Sequence, residues 1–302
     1  MGTQATATLQ AQDLESIDKV LYQAKEDELT ARTLFSIKTD IPAGARTHTY
    51  RILSRSGAAK IIANGADDLP LVDADLTEHT IKIHTIAAGF KYSIHELRES
   101  QEGNYGTPID ATRAATARKA IAEKENRIVW QGEAKHNIVG VCSTPGIQVL
   151  NASATGTGNS TKFADKTSEQ IIEDFRQARK KVVVLPGYSS LRLSVAVPAD
   201  QYEELGRRYS DYDSRTILEV LQSRPWFKTI RSVSDLVGVG TGGTDSMLLF
   251  DDSPETMEML IPMDITQLQA EWSYPNWKIP VEERCGGVLI RFPMAVVRVD
   301  GI

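Results

Sequence analysis

Cysteine is scarce in this chain: Cys142 and Cys285 are the only two among 302 residues. Two cysteines make no disulfide framework and no metal-ligand cluster. That suits a reducing compartment, or a fold that does without bridges. Long apolar runs are missing as well, and nothing approaches the roughly 20 residues that span a bilayer. The opening stretch MGTQATATLQAQDLESID is polar and lacks the basic-then-apolar build of a secretion signal. Met1-Gly2 with Thr6 meets the formal myristoylation pattern, but no basic cluster follows to supply the second signal that stable anchoring needs. The expectation is synthesis in a cytoplasm, with no membrane association. Positive charge is not in excess either. The chain carries 34 Lys and Arg against 40 Asp and Glu, a net charge of −6, so no global basic field draws it to nucleic acid.

Catalytic signatures are also missing. There is no G-x-S-x-G, no Walker loop and no Cys/His constellation. Gly238-Val239-Gly240-Thr241-Gly242-Gly243 spells G-x-G-x-x-G. A dinucleotide site needs that run between a strand and a helix, whereas here a strand is predicted to follow, so the run is read as a hairpin tip. His95-Glu96-Leu97-Arg98-Glu99 lacks the second histidine of H-E-x-x-H, and His79 and His84 are an odd number apart, facing opposite sides of one strand. Asp67, Asp68, Asp73, Asp75 and Glu78 cluster without EF-hand spacing, and Pro70 stiffens their middle, so a solvated or intersubunit charge patch is preferred to a calcium site. Arg176, Arg179, Lys180 and Lys181 are read as the charged face of a helix. No catalytic residue, cofactor or metal is assigned, and no enzymatic activity is expected.

What is present is ordinary in bulk and odd in arrangement. Hydrophobic residues make up 41% and charged residues 25%, values of a folded protein long enough for a sizeable core and two subdomains. The segment 14–29 has the recurrence of an amphipathic helix. Two β-rich stretches, 45–54 and 79–86, flank a polar excursion with too little apolar content to stabilise a hairpin alone. Ser93 with Glu96 forms a capping box for a short helix. The run 107–132 reads as one long helix: Thr107, Pro108 and Asp110 suit its start, and Gly132 its stop. Its apolar stripe, with Ala114, Ala117, Ile121 and Ile128, is thin. Lys119, Glu123 and Arg127 are spaced to pair along an outer face. Such a helix suits a strut across a sheet better than the centre of a globule. The second half reads as an α/β unit, with helices opening near Ser168, Pro198 and Thr216 and strands at 191–197, 226–233 and 247–250. No internal repeat is found.

This order of elements resembles the tailed-bacteriophage major capsid protein family, whose Hong Kong 97-type fold is shared with encapsulins. The stretches that carry the resemblance are GARTHTYRILSRSGAAKIIANGADDLPLVD, FKYSIHELRESQEG and AEKENRIVWQGEAKHNIVGVCSTPG. They are similar to a prophage-associated, uncharacterised-domain branch of that family. The match is strongest over about residues 20–150. It implies an α+β fold with an N-terminal arm (1–38), an extended β-hairpin loop (39–88) and a peripheral domain (89–165) carrying the spine helix 107–132. An axial domain (166–255), returning peripheral strands (256–293) and a C-terminal strand rejoining the axial domain (294–302) complete it.

The resemblance further implies intersubunit contacts through Arg55, Lys60, Asp67, Asp68 and Asp73 of the extended loop. It implies axial tip loops bearing Arg207, Arg208, Tyr209, Asp211, Tyr212, Asp213, Thr241 and Asp245, and spine charges at Lys119, Glu123 and Arg127. The implied function is self-assembly into pentamers and hexamers of an icosahedral shell around double-stranded DNA. Portal and scaffold or decoration proteins are the implied partners, and the virion capsid, assembled in the host cytoplasm, is the implied location. Because the arm starts almost at once, a separate scaffold or none is expected. Lys60 is not expected to crosslink. The alternatives are an encapsulin-type shell around cargo enzyme and a soluble α/β enzyme.

Overall fold

The structure is a computed structural model, and it describes residues 29–57, 73–96 and 109–302. The helix expected over 14–29, up to its last residue, lies outside them. So do Lys60, Asp67, Asp68, Thr107, Pro108 and most of the helix expected after Ser93.

The chain begins with a short helical turn α1 (Ala31–Leu34) and a two-residue strand β1 (Ile37–Lys38). Strands β2 (Thr47–Ser56) and β3 (Asp73–Lys82) then pair antiparallel over ten residues each. The strand expected over 79–86 is in fact two. Ile83 turns inward to pack with Ile41, Leu260 and Leu289, and its N–H is donated to the Arg46 carbonyl at 2.9 Å. β3 therefore stays in the hairpin while β4 (His84–Ser93) enters another sheet. The capping box forms: the Ser93 N–H reaches Glu96 Oε2 at 3.0 Å, and the Glu96 N–H reaches Ser93 Oγ at 3.1 Å.

The long helix α2 (Ile109–Gln131) has 23 residues, a rod of roughly 35 Å. Its first half has the thin stripe. Ala117 and Ile121 rest on Val281, with Ile86, Ala88 and Phe90 packed around them. Its last two turns differ from that expectation: Glu125, Asn126, Ile128, Val129 and Trp130 are all buried. The cause is the arm, which covers the second side of the helix. Asn126 Oδ1 accepts the Ala31 N–H at 2.8 Å, and Trp130 Nε1–H is donated to Thr30 Oγ1 at 3.2 Å.

After two short strands, β5 (Gly132–Glu133) and β6 (Ile138–Val139), the chain builds a five-stranded sheet that is packed on both faces. Its order is β7 (Gln148–Asn151), β16 (Val296–Asp300), β10 (Ser246–Phe250), β8 (Leu193–Val197) and β9 (Phe227–Ser232). Helices α3 (Ser168–Val183), α4 (Ala199–Glu204) and α5 (Ile217–Ser223) lie between these strands in sequence. Alternation along the strands assigns the faces. Val195, Val197, Met247, Leu249, Val297 and Val299 meet Ile171, Phe175 and Val182 of α3 and Ile217 and Leu221 of α5. Ala196, Leu248, Phe250 and Val296 look the other way, onto Phe35, Val129 and Trp130. The Phe35 ring lies 5.0 Å from Trp130 and 5.1 Å from Phe250, so the arm is built into the second core.

Helix α3 starts one residue earlier than its sequence suggests. Thr167 is the cap, closing a box with Gln170, while the Ser168 hydroxyl is donated to the Arg208 carbonyl at 3.1 Å. A boundary at 165 also cuts through a sheet, because Gln148–Asn151 pairs in parallel with Val297–Asp300. A three-stranded sheet joins β1, β11 (Met257–Leu260) and β15 (Gly287–Ile290). Beneath α2 lies a four-stranded sheet of β12 (Met263–Gln267), β14 (Asn276–Cys285), β13 (Glu271–Ser273) and β4, with β14 paired to β4 over its full length.

Candidate functional site

The arm is fastened by one arginine. Arg32 donates from Nε to Glu125 Oε1 at 2.8 Å and from Nη2 to Glu125 Oε2 at 2.7 Å, Glu283 Oε1 at 2.8 Å and Asp264 Oδ1 at 2.9 Å. Three carboxylates from the long helix, β12 and β14 thus converge on one cation from the arm. The Glu125 and Glu283 side chains are 2% and 0% exposed. Two buried carboxylates, with an exposed third beside them, gather on one cation, and a proton relieves the excess of negative charge. Burial, then a hydrogen bond with Glu125, pushes Glu283 up to about 9. The Asp264 carboxyl is held below its ordinary value by the hydrogen bond from Arg32, and Arg32 is raised chiefly by Glu125. Burial thus favours a proton on Glu283, which lowers the negative charge gathered around Arg32. A second tie holds the far end of the helix, where Arg113 and the Ser93 N–H bring Glu96 down to about 2.

The β2–β3 hairpin is the opposite case. No residue of β3 is buried, and Leu53 and Leu76, directly paired across the strands, are 51% and 54% exposed. Arg51 meets Glu78 at 2.7 Å. Arg55 and Asp73 stand at the end of the ribbon away from the Thr47–Lys82 pair, where the Asp73 carboxylate accepts the Ala74 N–H at 2.8 Å. Among the described residues no acidic group is placed to hold a metal ion. A second exposed apolar group, which sequence reasoning missed, caps the four-stranded sheet. Trp272 packs on Trp277 with ring centroids 4.7 Å apart, and Tyr274 beside them is 80% exposed.

The two tip loops leave the same end of the five-stranded sheet, since Val197, Ser246 and Asp300 end or begin their strands there. Within them the expected contact residues divide. Arg207 is committed internally, donating to the carbonyls of Lys166 at 2.8 Å and Phe163 at 3.0 Å. The Asp213 carboxylate is held low by Arg215, which it meets at 2.6 Å. The Tyr209 N–H is donated to the Arg215 carbonyl, and Arg208 bridges to Thr216. Thr241 donates its N–H and hydroxyl to Asp300 Oδ2 at 3.0 and 2.8 Å, and Asp245 Oδ1 accepts the Gly238 N–H. Asp300 is lowered overall: burial works to raise it, and Arg298, Thr241 and Ser246 outweigh that. A Cβ on Gly240 would come within 2.5 Å of Ser246 Oγ, which explains a glycine of the G-x-G-x-x-G run without any nucleotide. Asp211 and Tyr212 remain outward, Tyr212 fully so. On α2, Lys119, Glu123 and Arg127 are exposed, and Arg127 donates to Gln131 at 3.4 Å. Cys142 and Cys285 are buried free thiols, pushed up to about 12 by that burial.

A docked arm, a hairpin with no core of its own, and a long helix on a sheet beside a doubly covered second sheet define a building block for shells, the Hong Kong 97-type capsid fold. The capsid of Myoviridae phage XM1 is similar over 99% of this chain and 100% of that chain, at 13% identity and a TM-score of 0.81. The capsid of an empty GTA particle covers 95% of this chain and 94% of that chain, at 12% identity and a TM-score of 0.67. A virus-like particle from Pyrococcus furiosus covers 89% and 92%, at 16% identity and a TM-score of 0.62. No match was found among curated proteins. The family model described as "Major capsid protein" matches residues 57–302, and the chain belongs to that family: it is a shell-forming major capsid protein.

Proposed function

We propose that this subunit closes into pentamers and hexamers of an icosahedral shell around the double-stranded DNA of a tailed phage or prophage. In this reading it assembles in the host cytoplasm, with portal and scaffold or decoration proteins as partners, and its work is assembly rather than catalysis. The observation that carries the reading is the β2–β3 hairpin. A two-stranded ribbon is marginal in water, and this one presents the cross-strand pair Leu53–Leu76 to solvent. A ribbon of that kind is stabilised when it lies on a neighbouring copy. Head-to-tail contact of the ribbon with the next subunit gives closed rings where the rotation between copies closes.

The test is electron microscopy of the purified protein beside the variant Leu53→Asp/Leu76→Asp. Wild type should give icosahedral particles. The variant should keep its denaturation midpoint within about 0.5 kcal/mol, as exposed sites do, and fail to close shells. Equally stable, intact variant shells would refute the strap. The likeness to a virus-like particle favours a second reading, a compartment around cargo protein. Particles that hold protein and exclude nucleic acid in their native host would establish it.

A further inference from the structure

We infer that strand β3 of a neighbouring copy adds to the open edge of β9, extending the five-stranded sheet by the two strands of the ribbon. This rests on the reading of the ribbon as a strap and assigns the surface it lies on. The sheet runs β7-β16-β10-β8-β9, so β9 is an edge, and no described strand pairs with its outer side. An edge presents a row of N–H and C=O groups ready for another strand. The Val233 N–H is donated inward to the Val197 carbonyl at 2.8 Å. Backbone groups alternate in direction along a strand, so those of Ile230 and Ser232 point outward. β2 and β3 pair only with each other, so β3 has a free edge of its own. Within the single chain both edges stay open, which makes the contact one between copies.

Charge selects β3 as the occupant. β9 reads FKTIRS and β2 reads THTYRILSRS, each with two Lys or Arg residues and no acid. β3 reads DADLTEHTIK, with Asp73, Asp75 and Glu78 against Lys82, all exposed. Some of these charges are already used: Lys228 meets Asp252 at 2.7 Å, and Arg51 meets Glu78 at 2.7 Å. Arg231, Asp73 and Asp75 are exposed and form no ion pair among the described residues. Basic side chains on an edge ordinarily guard it against indiscriminate pairing. Here they repel β2 or a second β9 and admit the acidic strand, so the same charges give the contact its direction.

There is room beside the edge. A groove of about 520 Å³ is lined by Thr229, Arg231 and Ser232 of β9 together with Thr30, Thr33 and Leu34 of the arm. Arg231 pairs in register with Ala196, whose side chain packs into the second core. Residues paired across strands share a face, so Arg231 is carried on the arm's side of the sheet, at the groove. A strand seated there gains main-chain hydrogen bonds from the edge and a charge contact from Arg231, affinity from the first and selectivity from the second. The ribbon of one copy on the sheet of the next is a head-to-tail contact.

The test uses the full chain in two measurements. Hydrogen exchange of wild type is compared between assembled shells and subunits kept below their assembly concentration. The amides of Ile230 and Ser232 should exchange about tenfold more slowly in shells. The second measurement is a charge exchange with Arg231→Glu, with Asp73→Arg/Asp75→Arg, and with the two combined. Each of the first two should keep the subunit's melting temperature and lower the yield of shells about tenfold, since like charges then face each other. The combined variant should recover the wild-type yield. Unchanged exchange at β9 in intact shells overturns the inference, and so does an undiminished yield from Arg231→Glu or Asp73→Arg/Asp75→Arg. A combined variant with the wild-type melting temperature that assembles no better than its parents also overturns it, assigning these charges to other contacts. The exchange measurement needs no substitution and decides the matter if the combined variant folds poorly. Wild type that forms no shell under the electron microscope counts against the capsid reading itself.

Discussion

Arg32 has no motif around it, and nothing in the sequence separation of residues 32, 125, 264 and 283 links them. Two partial signals were nevertheless present. Glu283 shares the strand parity of Ile279, Val281 and Cys285, so its side chain had to face the long helix. Glu125 sits on the helical face of Ile121 and Ile128. Each is a charge on an apolar stripe, and a buried charge demands a partner. The partner came from the arm, which no local pattern could supply. Arg32→Ala should cost about 3–5 kcal/mol, the penalty for leaving buried charge uncompensated, and denaturant titration would measure it. Glu283 has its own signature. An acid whose native value is about 9, against an ordinary 4.5, keeps its proton in the fold after the unfolded chain has lost it. Stability therefore falls as pH rises from about 4.5 to about 9 and levels off above that window. Asp264 works in the opposite sense, below its ordinary 3.8. Glu283→Gln should flatten the decline and raise stability at pH 7 to 8; an unchanged pH profile would show that Glu283 is ionised in the fold.

At the scale of elements, the long helix and the α/β strands and helices were legible from the period of apolar residues along each segment, with the cap of α3 displaced by one residue. Thr216, Pro198 and Ser93 all mark helix starts as their chemistry suggests. Two features were not legible, both for tertiary reasons. Ile83 breaks an alternating run because a small core with Leu260 and Leu289 pulls it in. The end of α2 is buried on two sides because a distant segment lies over it. The stripe there looks thin because Glu125 and Asn126 are polar, yet both are hydrogen-bonded and covered. The two halves of the helix should therefore respond differently. Trp130→Ala should cost about 3–5 kcal/mol, since Trp130 is fully buried between Phe35 and Phe250. Lys119→Ala and Glu123→Ala, on the exposed face, should change stability by under about 0.5 kcal/mol. Thermal unfolding of the three variants would separate them.

For the whole molecule, we propose that folding and assembly fall on different side chains, a division argued most directly from the tip loops. Arg207, Arg208, Tyr209, Asp211, Tyr212, Asp213, Thr241 and Asp245 were grouped as tip-loop contacts because the family resemblance implies them together. Arg207, Asp213, Thr241 and Asp245 are spent on the loops' own architecture, each holding a carbonyl, an amide or a charged neighbour of the same chain. Polar composition cannot distinguish a residue that ties a loop from one that reaches a neighbour; only the partner list can. The exposed side chains of Arg208, Asp211 and Tyr212 remain to touch another copy, and a fully exposed tyrosine is the kind of anchor that interfaces favour. Asp211→Lys/Tyr212→Ala should leave the melting temperature of the subunit within a degree or two, as exposed changes do, while shifting sedimentation from capsomers toward monomers. Asp213→Lys should do the reverse, loosening the loop held by Arg215 and lowering subunit stability before any effect on assembly. If Asp211→Lys/Tyr212→Ala subunits form capsomers at wild-type concentration, the axial contact lies elsewhere. The exposed Trp272, Tyr274 and Trp277 group would then be the next surface to alter.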